Sequence, residues 1–345
     1  MKKIKVLIIF FNIVFLLIAV ELFFLYALDY KTLSKIDTCQ RLYNNKKDFS
    51  YYSPNCEIIT KHWEQKNFIS YKINSEGRRD LSLQQNKNVK KIAFIGDSFT
   101  FGAMVPIQKN YNFYAFNTLR KSYEIHNYGT PAEQLHNVFN KLKTLDHKKY
   151  DYFVYGLTPN DFFDLVDGSY IKNFTKKNKS ENINKVNIAN TKLFYKLKNY
   201  LVSTATSRFI LHTLMSNDQI YINTYLSRTP YSEYLSEELT KNWISAINFL
   251  DQSLKELDKN FKTKLKIFIL PQRAEVVSMR LNKYNLTFLN TLINVCKKNE
   301  IDCSHSDVLA LSKIKESHFP VDGHLTIEGN RVVAEYLFRW ASKWN

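Results

Sequence analysis

A short apolar run, Ile92-Ala93-Phe94-Ile95, ends abruptly in Gly96, Asp97 and Ser98. A serine hydroxyl at the end of a buried strand can serve as a nucleophile, provided a base removes its proton. A base beside an acid occurs near the other end of the chain, in Val321-Asp322-Gly323-His324. His324 could take the Ser98 proton, and Asp322 could orient the imidazole and stabilise its charged form. Attack on an ester creates an oxyanion, which needs preorganised donors. Three candidates are the N–H of Ser98, the N–H of Gly129 in Asn127-Tyr128-Gly129, and the amide of Asn160 in Thr158-Pro159-Asn160-Asp161. Each residue has a plainer use. Asp97 and Ser98 suit a helix cap, Asn160-Asp161 suits a turn, and His324 suits a surface or helix-capping position. What joins them is position, because the Ser98, Gly129 and Asn160 segments close successive expected strands and the His324 segment precedes the last helix.

The elements that must hold these residues follow from periodicity. Lys91–Ile95, Tyr123–Tyr128 and Tyr152–Leu157 read as strands, separated by helices at Asn112–Lys121 and Gln134–Leu145. The latter places Leu135, Val138, Phe139 and Leu142 on one face. Lys266–Leu270 and Ile301–Cys303 read as two further strands, Leu286–Asn299 and Thr326–Trp340 as helices. Strands alternating with helices predict a parallel sheet. Ligands of such sheets bind beyond the carboxyl ends of the strands, where the candidate residues lie. Between them, 162–261 has no strand pattern. Lys172–Lys192 reads as an exposed low-complexity loop, and Leu193–Met215 and Tyr231–Leu257 as helices, the second with Leu235, Leu239, Trp243, Ile247 and Leu250 on one face. This insertion suits a lid, a substrate wall or packing at the sheet edge.

In this order the residues resemble the conserved blocks of the SGNH (GDSL-type) hydrolases. Gly96-Asp97-Ser98-Phe99 with Thr100 and Gly102 is similar to the first block, Gly129 to the second-block glycine, Asn160-Asp161 to the third, and Asp322-Gly323-His324 with Gly329 to the last. Phe99 stands where the GDSL name has Leu, and the last block is Asp-x-His where many members have Asp-x-x-His. The resemblance spans residues 91 to 340. It implies a flavodoxin-like three-layer α/β/α fold with a parallel sheet of about five strands. It also implies Ser98 as nucleophile, His324 as base, Asp322 as its partner, and Ser98, Gly129 and Asn160 as the oxyanion hole, with no metal and no cofactor.

The remaining features place this chemistry. Hydrophobic residues make up 45% and charged residues 23%, a balance that builds a globular core. The net charge is +17, but the lysines are scattered and no Arg-rich or RNA-binding motif occurs, so no nucleic-acid partner is expected. Lys2, Lys3 and Lys5 precede an apolar run from Val6 to Leu28, broken only by Asn12 and Glu21. A bilayer needs roughly 20 such residues, and a secretory signal core only about 7–15. The run ends in Leu25-Tyr26-Ala27-Leu28-Asp29, a poor cleavage site, so residues 1–29 read as an uncleaved anchor in membrane lipid. The leading lysines put the rest outside the cytoplasm, periplasmic or extracellular. Glu21 either pairs with a partner helix or reaches the interface, and the second is expected. Cys39 with Cys56, and Cys296 with Cys303, suit two local disulfides in an oxidising compartment, or free buried thiols. No C-x-x-C pair occurs, which argues against a zinc or thioredoxin-type site.

Residues 30–88 lack clear periodicity and read as a stalk or irregular N-terminal layer, followed by the α/β domain at 89–345. The function expected is a membrane-anchored serine esterase or O-acyltransferase on an ester-bearing substrate. An O-acetylated cell-envelope glycan is the first candidate and a lipid ester the next. A non-catalytic glycan-binding or assembly protein is the reading of another class. Hydrolysis and transfer share the acyl-enzyme, so the sequence does not separate them, and it leaves oligomeric state open.

Overall fold

The structure is a computed structural model that describes residues 2–44, 49–80, 89–118, 123–168 and 204–344. The expected loop Lys172–Lys192 and the first part of the expected helix Leu193–Met215 lie outside the described residues. The chain starts with helix α1, Lys2–Leu22, which runs into a wider π-turn at Phe23–Ala27. Ile9–Ala27 is long and apolar enough to cross a bilayer.

The following segment is not a stalk. It forms β1 (Leu33–Asp37), β2 (Arg41–Asn44), β3 (Phe49–Tyr52), β4 (Cys56–Lys61) and β5 (Ile69–Ile73). An antiparallel sheet has the order β1-β4-β5, and β2 and β3 pair as a hairpin. In β5 Ile69, Tyr71 and Ile73 are buried while Ser70 and Lys72 face out. This period of two is real, but five residues are too few to stand out. A disulfide joins Cys39 to Cys56, and another joins Cys296 to Cys303.

The central sheet contains β6 (Lys90–Gly96), β7 (Tyr123–Asn127), β8 (Tyr152–Leu157), β9 (Leu265–Ile269) and β10 (Asp302–His305). Its order is β10-β9-β8-β6-β7 and every pairing is parallel. The helices on and around it are α2 (Ser98–Phe101), α3 (Tyr111–Phe113), α4 (Leu135–Leu142), α5 (Phe163–Val166), α6 (Ala205–Met215), α7 (Asp218–Leu226), α8 (Lys241–Lys255), α9 (Lys259–Lys264), α10 (Arg273–Arg280), α11 (Thr287–Lys298), α12 (Val308–Ser312) and α13 (Ile327–Ala341).

β6 explains why its sequence is apolar without alternation. Ala93 and Ile95 face a core completed by α4, α8 and α11, while Ile92 and Phe94 face a second core completed by α3 and α13. A strand covered on both faces has no polar side to show. The architecture is therefore three layers, helices on a five-stranded parallel sheet on helices.

Two parts of the expected insertion divide its uses. α8 is a core helix, with Trp243, Leu250 and Leu254 fully buried against the sheet. The expected helix Tyr231–Leu257 is interrupted: only a single turn forms at Glu233–Leu235, and the long helix starts at Lys241. The other part is α6, which lies against the N-terminal helix, and α7, which packs against α10. Glu21 accepts hydrogen bonds from the Ala205 N–H at 2.6 Å, the Thr206 N–H at 3.0 Å and the Thr206 hydroxyl at 2.8 Å. Its carboxylate thus satisfies the free N–H groups at the start of α6, where a free reach to the interface was expected.

Candidate active site

Ser98 sits where β6 turns directly into α2. Gly96 allows this, with φ of +152°, and a Cβ there would lie 2.4 Å from Thr100 Oγ1 and 2.8 Å from the Gly156 carbonyl oxygen. Asp97 does cap α2, accepting from the Phe99 N–H at 2.8 Å. Ser98 has another partner: its Oγ is 2.7 Å from Nε2 of His324. His324 Nδ1 in turn bonds Oδ1 of Asp322, which also accepts the His324 N–H at 3.3 Å. The Asp-x-His spacing still brings the carboxylate to Nδ1 because Gly323 between them has φ of +87° and curls the chain back. Fold and loop thus unite residues 226 positions apart.

The electrostatics suit a base. Burial opposes charge on His324, but the hydrogen bond and charge of Asp322 outweigh it and hold the imidazole above its ordinary value. Burial pushes Asp322 up, yet the bond and charge of His324 carry it below the usual carboxylate range. The pair could therefore stabilise an imidazolium if His324 took a proton from Ser98.

The N-terminal layer grips both halves of this constellation. Arg79 is buried, and its guanidinium donates to the carbonyls of Phe101 (3.0 Å), Gly102 (2.5 Å) and Val105 (2.9 Å) in the turn after α2. It stacks 4.4 Å from the Tyr71 ring, and burial pulls it down to about 10, still a cation at neutral pH. Glu64 grips the other half. Its Oε1 accepts from the Val321 N–H at 2.9 Å and its Oε2 from the Asp322 N–H at 2.8 Å. The Glu64 side chain is 1% exposed, and burial pushes its carboxyl up to about 7 despite those two donors.

The expected oxyanion donors divide. The Ser98 N–H starts α2 and has no acceptor among the described residues. Asn160 lies beside Ser98 in one cavity. Its Oδ1 accepts from the Thr158 hydroxyl at 2.5 Å and from Gln272 Nε2 at 2.7 Å, and its Nδ2 donates to Asp97 Oδ2 at 2.7 Å. These bonds set the direction of the amide and leave one Nδ2 hydrogen for a ligand. Gly129 lies apart from these two. Its N–H is bound to Asn127 Oδ1 at 2.9 Å, and it does not line the Ser98 cavity. A Cβ at Gly129 would lie 2.4 Å from the Phe101 nitrogen, so its glycine serves close packing under α2.

Asp161 supports the site from below. It accepts from Tyr155 OH at 2.8 Å and the Thr158 N–H at 3.0 Å. Burial, reinforced by the neighbouring Asp97, pushes its carboxyl far up. Glu64, Arg79 and Gln272 escape sequence reasoning. Gln272 follows β9 and was accessible to the strand-end rule; Glu64 and Arg79 lie in a segment without periodicity and carry no local signal.

Ser98 and His324 open into a cavity of about 220 Å³. Its far wall contains Phe163 of α5, Tyr221 and Tyr225 of α7, and Arg228. Among the described residues no group of three His, Cys, Asp or Glu side chains is placed to hold a metal ion. A hydroxyl, an imidazole, a carboxylate and two N–H donors around one small cavity are groups an acyl-transfer site could use.

No protein-family model and no curated protein matches the chain. Solved structures do show a likeness. A member of the lipolytic protein G-D-S-L family from Veillonella parvula is 14% identical, with 73% of this chain and 98% of that chain covered and a TM-score of 0.37. A carbohydrate acetylesterase family member from Sinorhizobium meliloti is 11% identical, with 73% and 96% covered and a TM-score of 0.34. An acetyl xylan esterase from Geobacillus stearothermophilus is 15% identical, with 73% and 94% covered and a TM-score of 0.34. At these values the likenesses do not establish membership of a family.

Proposed function

We propose that the chain is a serine esterase or O-acyltransferase of the SGNH type, held at a membrane by its N-terminal helix and acting on acyl esters of a cell-envelope glycan. The observation that carries this is the unbroken line from Ser98 Oγ through His324 Nε2, at 2.7 Å, to Asp322 on Nδ1. His324 takes the Ser98 proton as Oγ forms a bond to the acyl carbon. The oxyanion lies against the Ser98 N–H and the Asn160 amide. His324 then returns the proton to the departing alcohol, leaving an acyl-Ser98 ester. Water or a second hydroxyl, deprotonated by His324, resolves that ester; the first outcome is hydrolysis and the second transfer. A cavity of about 220 Å³ lies below the roughly 300–1,000 Å³ typical of pockets for drug-sized ligands, which favours a compact acyl group.

The full chain in nanodiscs, given p-nitrophenyl acetate, tests this. Ser98→Ala and His324→Ala, folded by circular dichroism, are expected to lose turnover by about a thousandfold or more. Turnover equal to that of the unaltered chain in both variants refutes the assignment, whereas no turnover in any of the three favours a strict transferase or a non-catalytic glycan-binding protein. An acetylated Ser98 peptide, found by mass spectrometry after brief exposure, would mark the covalent intermediate directly.

A further inference from the structure

We propose that the cavity beside Ser98 contains a subsite for the carboxylate of an acidic sugar, with Arg228 as its anion receptor and Tyr221 and Tyr225 as the fixed wall that confines the sugar. This rests on the assignment of Ser98 as nucleophile and adds the chemistry of the alcohol half of the ester.

Charge is the first ground. The lining of the cavity holds two arginines and a single carboxylate, Asp322, which is committed to His324. Arg273 is nearly buried, and its guanidinium donates to the Pro320 and Met215 carbonyls while stacking 3.8 Å from the centre of the Tyr221 ring. Neutral carbonyls do not cancel its charge, and no carboxylate lies within ion-pair distance of it among the described residues. Arg228 is exposed at the mouth. Its guanidinium sits 5.5 Å from the Tyr225 ring centre and makes no hydrogen bond or ion pair among the described residues. The cavity lining therefore carries more positive than negative charge, and Arg228 has no polar partner among the described residues.

Shape is the second ground. Tyr221 and Tyr225 stack with ring centres 6.0 Å apart, one helical turn apart on α7. Tyr225 cannot swing away, because its hydroxyl donates to Gln272 at 2.9 Å, and Gln272 is bonded to the proposed oxyanion donor Asn160. Their faces are taken by each other and by Arg273, so the two rings give the cavity a fixed wall beside Arg228. A guanidinium fork suits a carboxylate, which it can hold by two parallel bonds. With the acyl carbon at Ser98, the sugar lies beside the tyrosine wall and its carboxylate reaches Arg228. The substrate class is then an O-acylated glycan that contains uronic acid.

The test compares kcat/KM for two acetylated methyl glycosides, one of glucuronic acid and one of glucose, acetylated at the same hydroxyl. The full chain in nanodiscs is expected to favour the acid by about tenfold or more, and Arg228→Ala to cut that ratio by about ten- to a hundredfold, the loss of one charge-assisted contact. Arg228→Lys should keep part of it. A ratio near one in the unaltered chain, or a ratio that Arg228→Ala leaves alone, overturns the proposal. A second arm needs no turnover: the Ser98→Ala chain is titrated with a glucuronic-acid oligosaccharide and with its glucose counterpart. Preference for the acidic one, lost on adding Arg228→Ala, supports the subsite even if p-nitrophenyl acetate shows Ser98 to be inert. Equal or absent binding of both overturns the subsite while leaving the Ser98 chemistry to stand on its own assay.

Discussion

Replacing Glu64 by Gln is expected to stabilise the protein at alkaline pH and, under the same conditions, to make it a poorer catalyst. Glu64 is raised from 4.5 to about 7, with burial as the largest cause. An acid whose value rises on folding costs nothing below about 4.5, where it is protonated folded and unfolded alike; the cost grows up to about 7 and is complete above. A rise of that size corresponds to about 3 kcal/mol, with little discount for screening because the side chain is 1% exposed. Gln resembles the protonated acid in shape and hydrogen bonding and never ionises. Glu64→Gln should therefore match the unaltered chain at about pH 5 and exceed it by up to about 3 kcal/mol at about pH 8.5.

Catalysis should move the other way. The ionised carboxylate accepts from both the Val321 and Asp322 N–H groups. A carboxamide offers one oxygen and sets an NH₂ against the second N–H, so the loop carrying Asp322 and His324 shifts. A displacement of about 1 Å costs on the order of a hundredfold in rate. The kcat/KM of Glu64→Gln should fall about ten- to a hundredfold at about pH 8 and approach that of the unaltered chain near about pH 6, where Glu64 itself is protonated. Loss of the Glu64 charge also lowers the His324 value slightly, which narrows the gap in the same direction. Thermal melts and p-nitrophenyl acetate kinetics across the pH range read both quantities. A stability gap that does not grow with pH, or an activity ratio constant with pH, refutes the reasoning.

Three further outcomes are expected. Activity should fall with decreasing pH as His324, held above 6.5 by Asp322, takes up a proton; in Asp322→Asn this limb should move to lower pH while kcat drops roughly a hundred- to ten-thousandfold. The stabilising bond to His324⁺ is complete below about 6.5 and is lost as pH rises through its folded value, so Asp322→Asn should destabilise most at acid pH, as melts would show. Gly129→Ala should lower stability by about 1–3 kcal/mol and reduce turnover as α2 is displaced, since the new Cβ meets the Phe101 nitrogen at 2.4 Å; full activity with an unchanged melt would contradict that packing role. Replacing Cys39 and Cys56 together by Ser should cost about 3 kcal/mol, from a bridge that spans 17 residues; a denaturant titration under non-reducing conditions would measure it.

How much was legible depended on whether the physical constraint was local. β6 had to be apolar throughout because both faces are covered, so Ile92–Ile95 announced itself, as did the amphipathic face of α4. Ser98, Asn160, Asp322 and His324 stood out as candidates because a parallel sheet presents its ligand-binding groups at strand ends, and in the structure they line one cavity. The antiparallel strands of 33–73 were not found, since each is four to six residues long and several show no alternation. That Asn127 accepts the Gly129 N–H is a side-chain choice that a strand-end pattern does not reveal.

By itself, then, the sequence determined the alternating sheet, the long apolar N-terminal helix and the types of residue able to transfer an acyl group. Tertiary structure alone decided which groups support them. Glu64 meets Val321 across 257 positions and Gln272 meets Asn160 across 112. α7 becomes a cavity wall while α8 in the same insertion becomes core. Such contacts have no period and no spacing in the chain. They exist because packing closes distant surfaces on each other, and only there do buried carboxylates and backbone N–H groups find the partners they must have.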